Sequence, residues 1–387
     1  MHLNTEELSP ATVFDSLAET LSKISDQRKL RGLRYALQPL LILLCLSKLS
    51  GADTPQEIAD WIAFRFDYLK EKLSLPWKRS PSQWTWRRVI QNAIEVRELE
   101  EVVAQYLERF SDEESKLLNL DGKCVRATVS EETGKQLHLL SLQESSKNLV
   151  IAQTALQSTE NEISAAKRLL RDAHFKGKIV SGDGIFTQPE LSVQVRGKEA
   201  EYLWKLRANQ ETMYEEAKEY FAAVEEKGEL SRDVTRAQSL DKGHGRIEER
   251  EILTTWRLAN WWEFPGVEQV FQIRKKSQEV KSGKQSEQVL YGITSLPVSE
   301  YGAEELLELT RNHWRIENGL HYRRDVTFKE DRVRQKSPRG GQVLAILNNL
   351  AIGLLRKMGW ENIAQARRYY DAQIEKALIL IMNPLLL

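Results

Sequence analysis

The order of the apolar runs between residues 116 and 206 limits what this chain can fold into more than any other feature. Three runs with the strand pattern come first, at 116–126, 137–142 and 149–156. Helices and strands then alternate, with helix patterns at 161–174 and 189–195 and strand patterns at 178–181 and 202–206. Three strands in succession followed by this alternation predict an α/β domain built on a mixed sheet.

The residues before this domain have a helical pattern. Apolar positions recur at helical spacing in four segments, at 13–24, 37–49, 58–69 and 99–110. Thr54, Pro55 and Glu57 form a helix-start signal, because Thr caps a helix, Pro fits its first position and Glu at the third completes a capping box. The sequence therefore predicts an N-terminal all-α domain.

A second β-rich stretch follows the mixed sheet and precedes two more helical segments. Its strand patterns lie at 247–255, 269–274 and 288–295, and the helical patterns lie at 303–324 and 343–358. We therefore predict five parts: a helical domain at 1–115, the first part of the core at 116–239, a β-rich insertion at 240–297, the second part of the core at 298–360, and a C-terminal helix and tail at 361–387.

Composition restricts the broad class. Hydrophobic residues make up 41% of the 387 residues and charged residues 29%, which indicates a folded globular protein. Cys45 and Cys124 form neither a metal-ligand nor a disulfide pattern, and the first residues lack a signal-peptide pattern, so we expect a cytoplasmic protein. The apolar run at 37–49 is too short to cross a bilayer, so we expect no membrane association.

Charge is unevenly distributed along the chain. The total is zero, with 56 basic and 56 acidic residues, which taken alone argues mildly against a nucleic-acid-binding protein. Residues 23–34, however, hold five Lys or Arg and one acid, and residues 311–339 hold nine and four. These local basic segments keep nucleic-acid binding open.

Two aspartates follow apolar strand patterns. Asp121 comes after LLNL at 117–120, and Asp183 comes after Ile179 and Val180 and stands between two glycines. A carboxylate next to a buried strand is costly unless it is paired or binds a metal. The alternative is that each aspartate is only a cap or a turn residue. A shared metal ion would be favoured if the two acids lie at the ends of neighbouring strands.

A third acid lies in the predicted helix at 303–324. Glu317 shares one helical face with His313, His321 and Arg324. A helical Glu is usually a solvent-exposed surface residue, which is the alternative for Glu317. The two histidines are equally consistent with a structural pair. Zinc is disfavoured, because no Cys or His cluster completes such a site.

Asp121, Asp183 and Glu317 together would suit phosphodiester chemistry. Cleavage and strand transfer need an activated oxygen nucleophile and stabilised charge on the leaving oxygen. Two Mg²⁺ ions about 3.5–4 Å apart supply both and prefer carboxylate oxygens. We therefore predict these residues as catalytic and metal-binding, with Mn²⁺ able to replace Mg²⁺.

Short motifs surround these acids along most of the chain. They are DQRK at 26–29, SGAD at 50–53, DGKCVR at 121–126, STENEI at 158–163, GDGIFTQ at 182–188, LRANQ at 206–210, GHGRIEER at 243–250, HWRIEN at 313–318, LHY at 320–322, DV at 325–326 and FKED at 328–331. From 121 onward they resemble DGKxxRG, KxNEI, DAxxxQ, LKxNQ, HGRIExR and HWxIENxLHWxxDVxFxED of bacterial insertion-sequence transposases of the H-repeat-associated type. The two N-terminal motifs are similar to the helical domain associated with these enzymes, and the resemblance runs from about residue 20 to residue 358.

The resemblance implies a DDE transposase with an RNase H-like core. It also implies a β-rich insertion between the second and third acids, two Mg²⁺ ions, and cut-and-paste chemistry on the ends of the element. The expected partners are double-stranded DNA, as terminal inverted repeats and target, and a second copy in a homodimer. Four positions depart from the pattern: Ala127 replaces a Gly, and Thr310, His313 and Arg324 stand where the wider superfamily has Tyr, Arg and Lys.

Basic and aromatic residues supply the expected DNA contacts. The candidates are Lys123, Arg311, His313, Arg315, His321, Arg323, Arg324, Trp261 and Trp262. For the basic residues the alternative is a solvated face, and for the tryptophans it is the core of a small β-domain. The basic N-terminal helices either read the terminal repeats or serve as a scaffold or dimer contact, and the apolar segment at 379–387 either joins a dimer interface or packs on the core.

The function of the chain depends on whether the three acids are catalytically active. The prediction is metal-dependent cleavage and strand transfer at insertion-sequence ends. The main alternative is a catalytically inactive or domesticated relative that binds DNA, and the retention of Asp121, Asp183 and Glu317 favours activity. A nuclease that cleaves without joining and a carbohydrate enzyme with paired carboxylates are further alternatives. The arginine-rich surroundings of Glu317 disfavour the carbohydrate enzyme.

Overall fold

The computed structural model describes residues 16–29, 31, 33–111, 115–228, 230–243, 245–313 and 322–382. Its helices are α1 Leu17–Leu21, α2 Leu37–Leu49, α3 Pro55–Phe64, α4 Phe66–Lys72, α5 Gln83–Arg88, α6 Val96–Glu108, α7 Glu162–Asp172, α8 Pro189–Gly197, α9 Glu211–Lys227, α10 Ala303–His313, α11 Pro338–Lys357, α12 Ile363–Ala372 and α13 Ile374–Met382. Its strands are β1 Leu117–Val129, β2 Gln136–Glu144, β3 Leu149–Ala155, β4 Ile179–Gly182, β5 Glu201–Leu206, β6 Val234–Gly243, β7 Arg246–Thr255, β8 Gln269–Glu279 and β9 Gln285–Thr294. The predicted fold class, a mixed-sheet α/β core preceded by helices, is confirmed.

The chain divides into two compact units. The first, called here the helical unit, comprises Met1–Phe110, Val125–Leu137 and Arg323–Leu387. The second, called the sheet unit, comprises Ser111–Cys124 and His138–Tyr322. The helical unit thus combines the predicted N-terminal helical domain with the end of the chain.

Helix α2 lies at the centre of the helical unit. Its sequence is mostly apolar, and almost all of its side chains are buried. Helices α11, α12 and α13, from the end of the chain, pack against α2, and α6 packs against α11. The predicted start of α3 is confirmed, because Thr54 accepts a hydrogen bond from the Glu57 backbone N–H at 3.1 Å and Pro55 occupies the first turn. None of the described helices is both long and apolar enough to span a bilayer.

Charged side chains are buried inside the helical unit. Asp53 Oδ1 lies 2.7 Å from Arg367 Nη2 and 3.3 Å from Lys48 Nζ. Arg367 also donates to the Lys48 carbonyl at 3.0 Å and to the Thr327 carbonyl at 2.7 Å, and its guanidinium stacks 4.1 Å from the ring centre of Phe328. Burial lowers the pKa of Lys48. One carboxylate therefore balances two buried cations and connects three separate segments of the chain.

The strands form one nine-stranded sheet in the described chain, in the order β3-β2-β1-β4-β5-β9-β8-β7-β6. Strand β4 pairs in parallel with β1 and with β5. Strands β5 to β9 pair antiparallel in the order β5-β9-β8-β7-β6. The parallel centre matters for the site, because β4 and β5 end close to the point where β1 continues beyond its pairing with β4.

Apolar side chains of the sheet unit pack on both faces of this sheet. One core joins Leu118, Leu120, Val180 and Trp204 to buried residues of α7, α8 and α9. The other joins Leu117, Ile179 and Leu203 to Leu306 and Leu307 of α10. The alternation of strand side chains therefore sends residues 119, 121, 181, 183 and 205 to the α10 face.

Two segments differ from the predicted pattern. The β-rich stretch starts with β6 at Val234, and its strands continue the central sheet beyond β5. Helix α9 covers a Glu-rich segment for which we predicted no element. Among its residues only Ala217 and Phe221 are buried, so the apolar pattern was too sparse to indicate a helix.

Candidate active site

Strand register places Asp121 beside Asp183. Leu120 pairs with Gly182 between the parallel strands β1 and β4, so the next residue of each strand is an aspartate. Gly182 also pairs with Trp204 of β5, which brings Lys205 next in line. The predicted acid pair, called here the acid edge, therefore lies where the pairing of β1 with β4 ends, with a lysine as its neighbour.

Asp183 is the most heavily contacted of these side chains. Its Oδ1 lies 2.6 Å from Lys205 Nζ, and its Oδ2 lies 2.6 Å from Arg207 Nη2. His313 Nε2 lies 3.8 Å from Oδ1. His313 and the two cations hold the pKa of Asp183 well below its usual range, against the opposing effect of partial burial. Asp183 is therefore ionised throughout the neutral range.

His313 ends α10 and is buried against β4. Its Nδ1 lies 2.9 Å from Ser181 Oγ, which in turn lies 2.6 Å from Asn119 Oδ1. Asn119 Nδ2 donates to Ser145 Oγ at 2.7 Å. Burial lowers the pKa of His313, so its ring is mainly neutral at pH 7. This buried polar chain fixes the orientation of the imidazole beside Asp183.

Asp121 is half-buried in β1. Its Oδ1 accepts a hydrogen bond from the Gly122 backbone N–H at 2.8 Å. The Glu162 carboxylate, at the start of α7, lies so close to Gly122 that a Cβ there would be 2.9 Å from Glu162 Oε1. Lys123, two residues further along β1, has the same strand parity as Asp121 and is buried.

The third predicted acid, Glu317, lies outside the described residues, as do the DNA-binding candidates Arg315 and His321. Within the described part of the chain, no group of three His, Cys, Asp or Glu side chains is placed to hold a metal ion. The donor chemistry of Asp121 and Asp183 nevertheless fits a hard divalent cation, since both are carboxylates, strand register places them side by side, and Asp183 is ionised.

The predicted phosphate contacts of Arg324 and His313 need correction. Arg324 lies in a short π-helical turn at Arg323–Thr327, is 0% exposed, and donates through Nε to Glu330 at 2.9 Å. Asn348 donates to the same carboxylate. A guanidinium enclosed in this way does not present its donors to DNA. His313 is likewise buried, so we now interpret both as internal residues.

Arg311 and Arg323 are more accessible. Arg311 is half-exposed and forms an ion pair with Asp241 of β6. Arg323 is half-buried, and this burial together with nearby Arg356 lowers its pKa to about 10. With this pKa Arg323 remains cationic at neutral pH, as a phosphate contact requires.

Trp261 and Trp262 line an open cavity of about 740 Å³ in the sheet unit. Trp261 is 63% exposed and has the Arg257 guanidinium 5.4 Å from its ring centre. Trp262 donates through Nε1 to Glu216 at 2.5 Å. The exposed indole is inconsistent with a purely core role for Trp261, whereas Trp262 is half-buried and anchored.

Sequence reasoning missed the residues that surround Asp183. These are Asn119, Ser181, Lys205 and Arg207. Strand parity was the available signal, since Ser181 and Lys205 alternate with apolar residues of β4 and β5. The motif at 206–210 drew attention to Arg207 only as part of a family pattern.

The fold and the acid edge agree with the sequence comparisons. Residues 116–354 match the family described as transposase DDE domain, and residues 18–107 match its DDE-associated family. The chain therefore belongs to the DDE transposase family.

Relatives extend over nearly the whole chain. A protein of Escherichia coli O157:H7 named "Putative transposase YncI" is 25% identical over 89% of this chain and 88% of its own length. The "H repeat-associated putative transposase YhhI" of Escherichia coli K12 is 25% identical over 88% and 90%. A solved piggyBac transposase synaptic complex with hairpin DNA superposes with a TM-score of 0.43 at 11% identity, covering 94% of this chain and 76% of that one. The family matches and the Escherichia coli relatives confirm the expected resemblance to H-repeat-associated transposases.

Proposed function

We propose that this transposase cleaves and joins DNA strands at the ends of an insertion sequence with the help of divalent metal ions. The observation that carries the proposal is the parallel register that aligns Asp121, within β1, with Asp183, just past the carboxyl end of β4. Ligand and catalytic residues collect at the carboxyl ends of strands in open α/β sheets. Family membership supplies the reaction class.

Asp121, Asp183 and Glu317 would hold the ions, as two Mg²⁺ or two Mn²⁺. When bound, such ions lower the pKa of an attacking water or 3′-hydroxyl and neutralise charge on the leaving oxygen. Asp183 is suited to this role because it stays ionised at neutral pH. His313, whose Nδ1 lies 2.9 Å from Ser181 Oγ, would position the Asp183 carboxylate, which lies 3.8 Å from its Nε2.

DNA phosphates would be bound by Arg311, Arg315, His321 and Arg323, whereas Lys123 is buried like His313 and is not assigned to DNA. An exposed indole such as that of Trp261 can stack on a nucleobase, and Arg257 beside it adds positive charge. Trp262, which is hydrogen-bonded to Glu216, would stabilise the cavity wall next to Trp261. Two copies acting on two paired ends would match the reaction.

The test is metal-dependent cleavage of the DNA that flanks the coding sequence. The purified protein is incubated with this DNA in Mg²⁺, in Mn²⁺ and in chelator, beside Asp183→Asn. A matched control is Asp172→Asn, which changes an exposed aspartate of α7. We expect nicking or double-strand cleavage in metal only, reduced about a thousandfold in Asp183→Asn and unchanged in the control, because several kcal/mol of transition-state stabilisation depend on the ions.

Joining is tested on the same DNA with a labelled target duplex. Cleaved ends covalently linked to the target establish strand transfer, whereas cleavage without joining identifies a nuclease. Binding of the DNA without cleavage in any metal would overturn the proposed chemistry and favour the inactive DNA-binding relative.

A further inference from the structure

Both oxygens of the Asp183 carboxylate are held by cations of the same unit. Lys205 Nζ donates to Oδ1 and Arg207 Nη2 donates to Oδ2, each at 2.6 Å. Lys205 is 17% exposed and Arg207 is 59% exposed. Each of these charge-assisted hydrogen bonds uses one of the two lone pairs of a carboxylate oxygen, and the two positive charges weaken the attraction of the carboxylate for a metal ion.

Local structure holds both cations at this place. Lys205 belongs to β5, and the pairing of Leu203 with Ser181 sets its side chain beside that of Asp183. The Arg207 stem packs over Gly184, where an added Cβ would lie 2.5 Å from Arg207 Cγ. Neither contact is therefore a chance encounter of long surface side chains.

We propose that Lys205 and Arg207 are positioning residues that exchange partners during the reaction. Before the divalent cation binds, the positive charges of Lys205 and Arg207 balance the negative charge of the Asp183 carboxylate. They then release the carboxylate oxygens and bind the non-bridging oxygens of the DNA phosphate next to that cation. This inference rests on the proposed metal-dependent function. Its physical basis is that an ammonium or guanidinium and a divalent cation repel each other and compete for one carboxylate.

The exchange preserves the charge balance of the site. A bound divalent cation adds two positive charges beside Asp183, and the DNA phosphate brings negative charge within reach of a displaced Lys205. The lysine remains on a rigid strand, so the side chain moves while its backbone stays in the sheet. A residue with this role opposes metal binding and assists the chemistry.

These two opposite effects define the experiment. Mn²⁺ binding to the full-length protein without DNA is measured by calorimetry for the wild type, Lys205→Met, Arg207→Met and Lys276→Met. Methionine keeps most of the lysine stem, and Lys276 is an exposed lysine of β8. We expect Mn²⁺ affinity to rise on the order of tenfold in Lys205→Met and about threefold in the exposed Arg207→Met, because a charge-assisted hydrogen bond is lost. Lys276→Met should not change it.

DNA cleavage at saturating Mn²⁺ is then measured on the same proteins. We expect it to fall at least tenfold in Lys205→Met despite the tighter metal binding. Unchanged or weaker Mn²⁺ binding in both Lys205→Met and Arg207→Met would overturn the proposal. Tighter binding with undiminished cleavage would overturn the transfer to phosphate.

Two further readouts separate this proposal from the proposed function. Asp183→Asn should abolish the Mn²⁺ signal, and a wild-type protein that binds no Mn²⁺ would refute the metal site itself. Thermal unfolding of each variant monitors folding. Arg207→Met changes an exposed side chain, so it tests the proposal even where Lys205→Met lowers stability.

Discussion

Substitution of Asp53 tests the buried charge cluster of the helical unit. Asp53→Asn keeps the shape of the side chain but leaves Lys48 and Arg367 without their counter-charge, at sites where both are almost fully buried. Removal of one partner from a buried ion pair costs about 3–5 kcal/mol. In a unit of this size each kcal/mol lowers the melting temperature by about 2–4 °C, so we expect a decrease of about 10 °C.

Differential scanning calorimetry of the wild type, Asp53→Asn and Asp67→Asn measures this effect. Asp67 is an exposed aspartate of α4 in the same unit, and its substitution should cost no more than about 0.5 kcal/mol. The decrease in Asp53→Asn should shrink as pH rises toward the ordinary pKa of lysine, because the buried Lys48 can lose its proton there. A loss below about 1 kcal/mol, or equal to that of Asp67→Asn, would refute the assignment of this cluster as a stabilising network.

Three further measurements test other parts of the structure. Gly292→Ala should lower the free energy of unfolding by about 2–3 kcal/mol, because its Cβ would overlap the Phe271 ring and lie 2.7 Å from the Trp204 carbonyl, whereas Gly197→Ala has open space and should not. The contribution of Asp183 to stability should be complete above its ordinary pKa of 3.8 and be lost as pH falls below that value, because its folded pKa is lowered; acid titration of unfolding for Asp183→Asn should lack this component. Cys45 should resist a thiol reagent in the native protein, since burial raises its pKa to about 12, and rapid modification of both cysteines would contradict its placement.

The sequence was most informative where periodicity and burial coincide. Leu117, Leu118 and Leu120 of β1, like Ile179 and Val180 of β4, are apolar because their strands are covered on both faces. The acids that follow them could therefore be predicted to lie side by side. The capping box of α3 was equally predictable from the sequence, since its capping hydrogen bonds join residues only three positions apart. In both cases the decisive contacts are local or follow directly from strand pairing.

Long-range partners were not predictable in the same way. Arg324 was placed on a helical face with Glu317, yet its partner Glu330 lies beyond the predicted helix, in a turn that periodicity does not reveal. Lys205 was passed over as one charged residue in an apolar strand, because its partner depends on the register between β4 and β5. The Glu-rich α9 failed for a different reason, namely that its packing depends on very few apolar side chains.

The discontinuity of the helical unit has a consequence for synthesis of the protein on the ribosome. Helix α2 is almost wholly apolar, and three of the helices that cover it, α11, α12 and α13, are translated last. The emerging chain must therefore keep α2 shielded from other apolar surfaces for about 300 residues of translation, a delay of at least about 15 seconds at bacterial elongation rates. The protein is therefore most exposed to aggregation and chaperone capture while it is being synthesised. A premature stop anywhere before α11 would release a chain whose helical unit cannot fold completely.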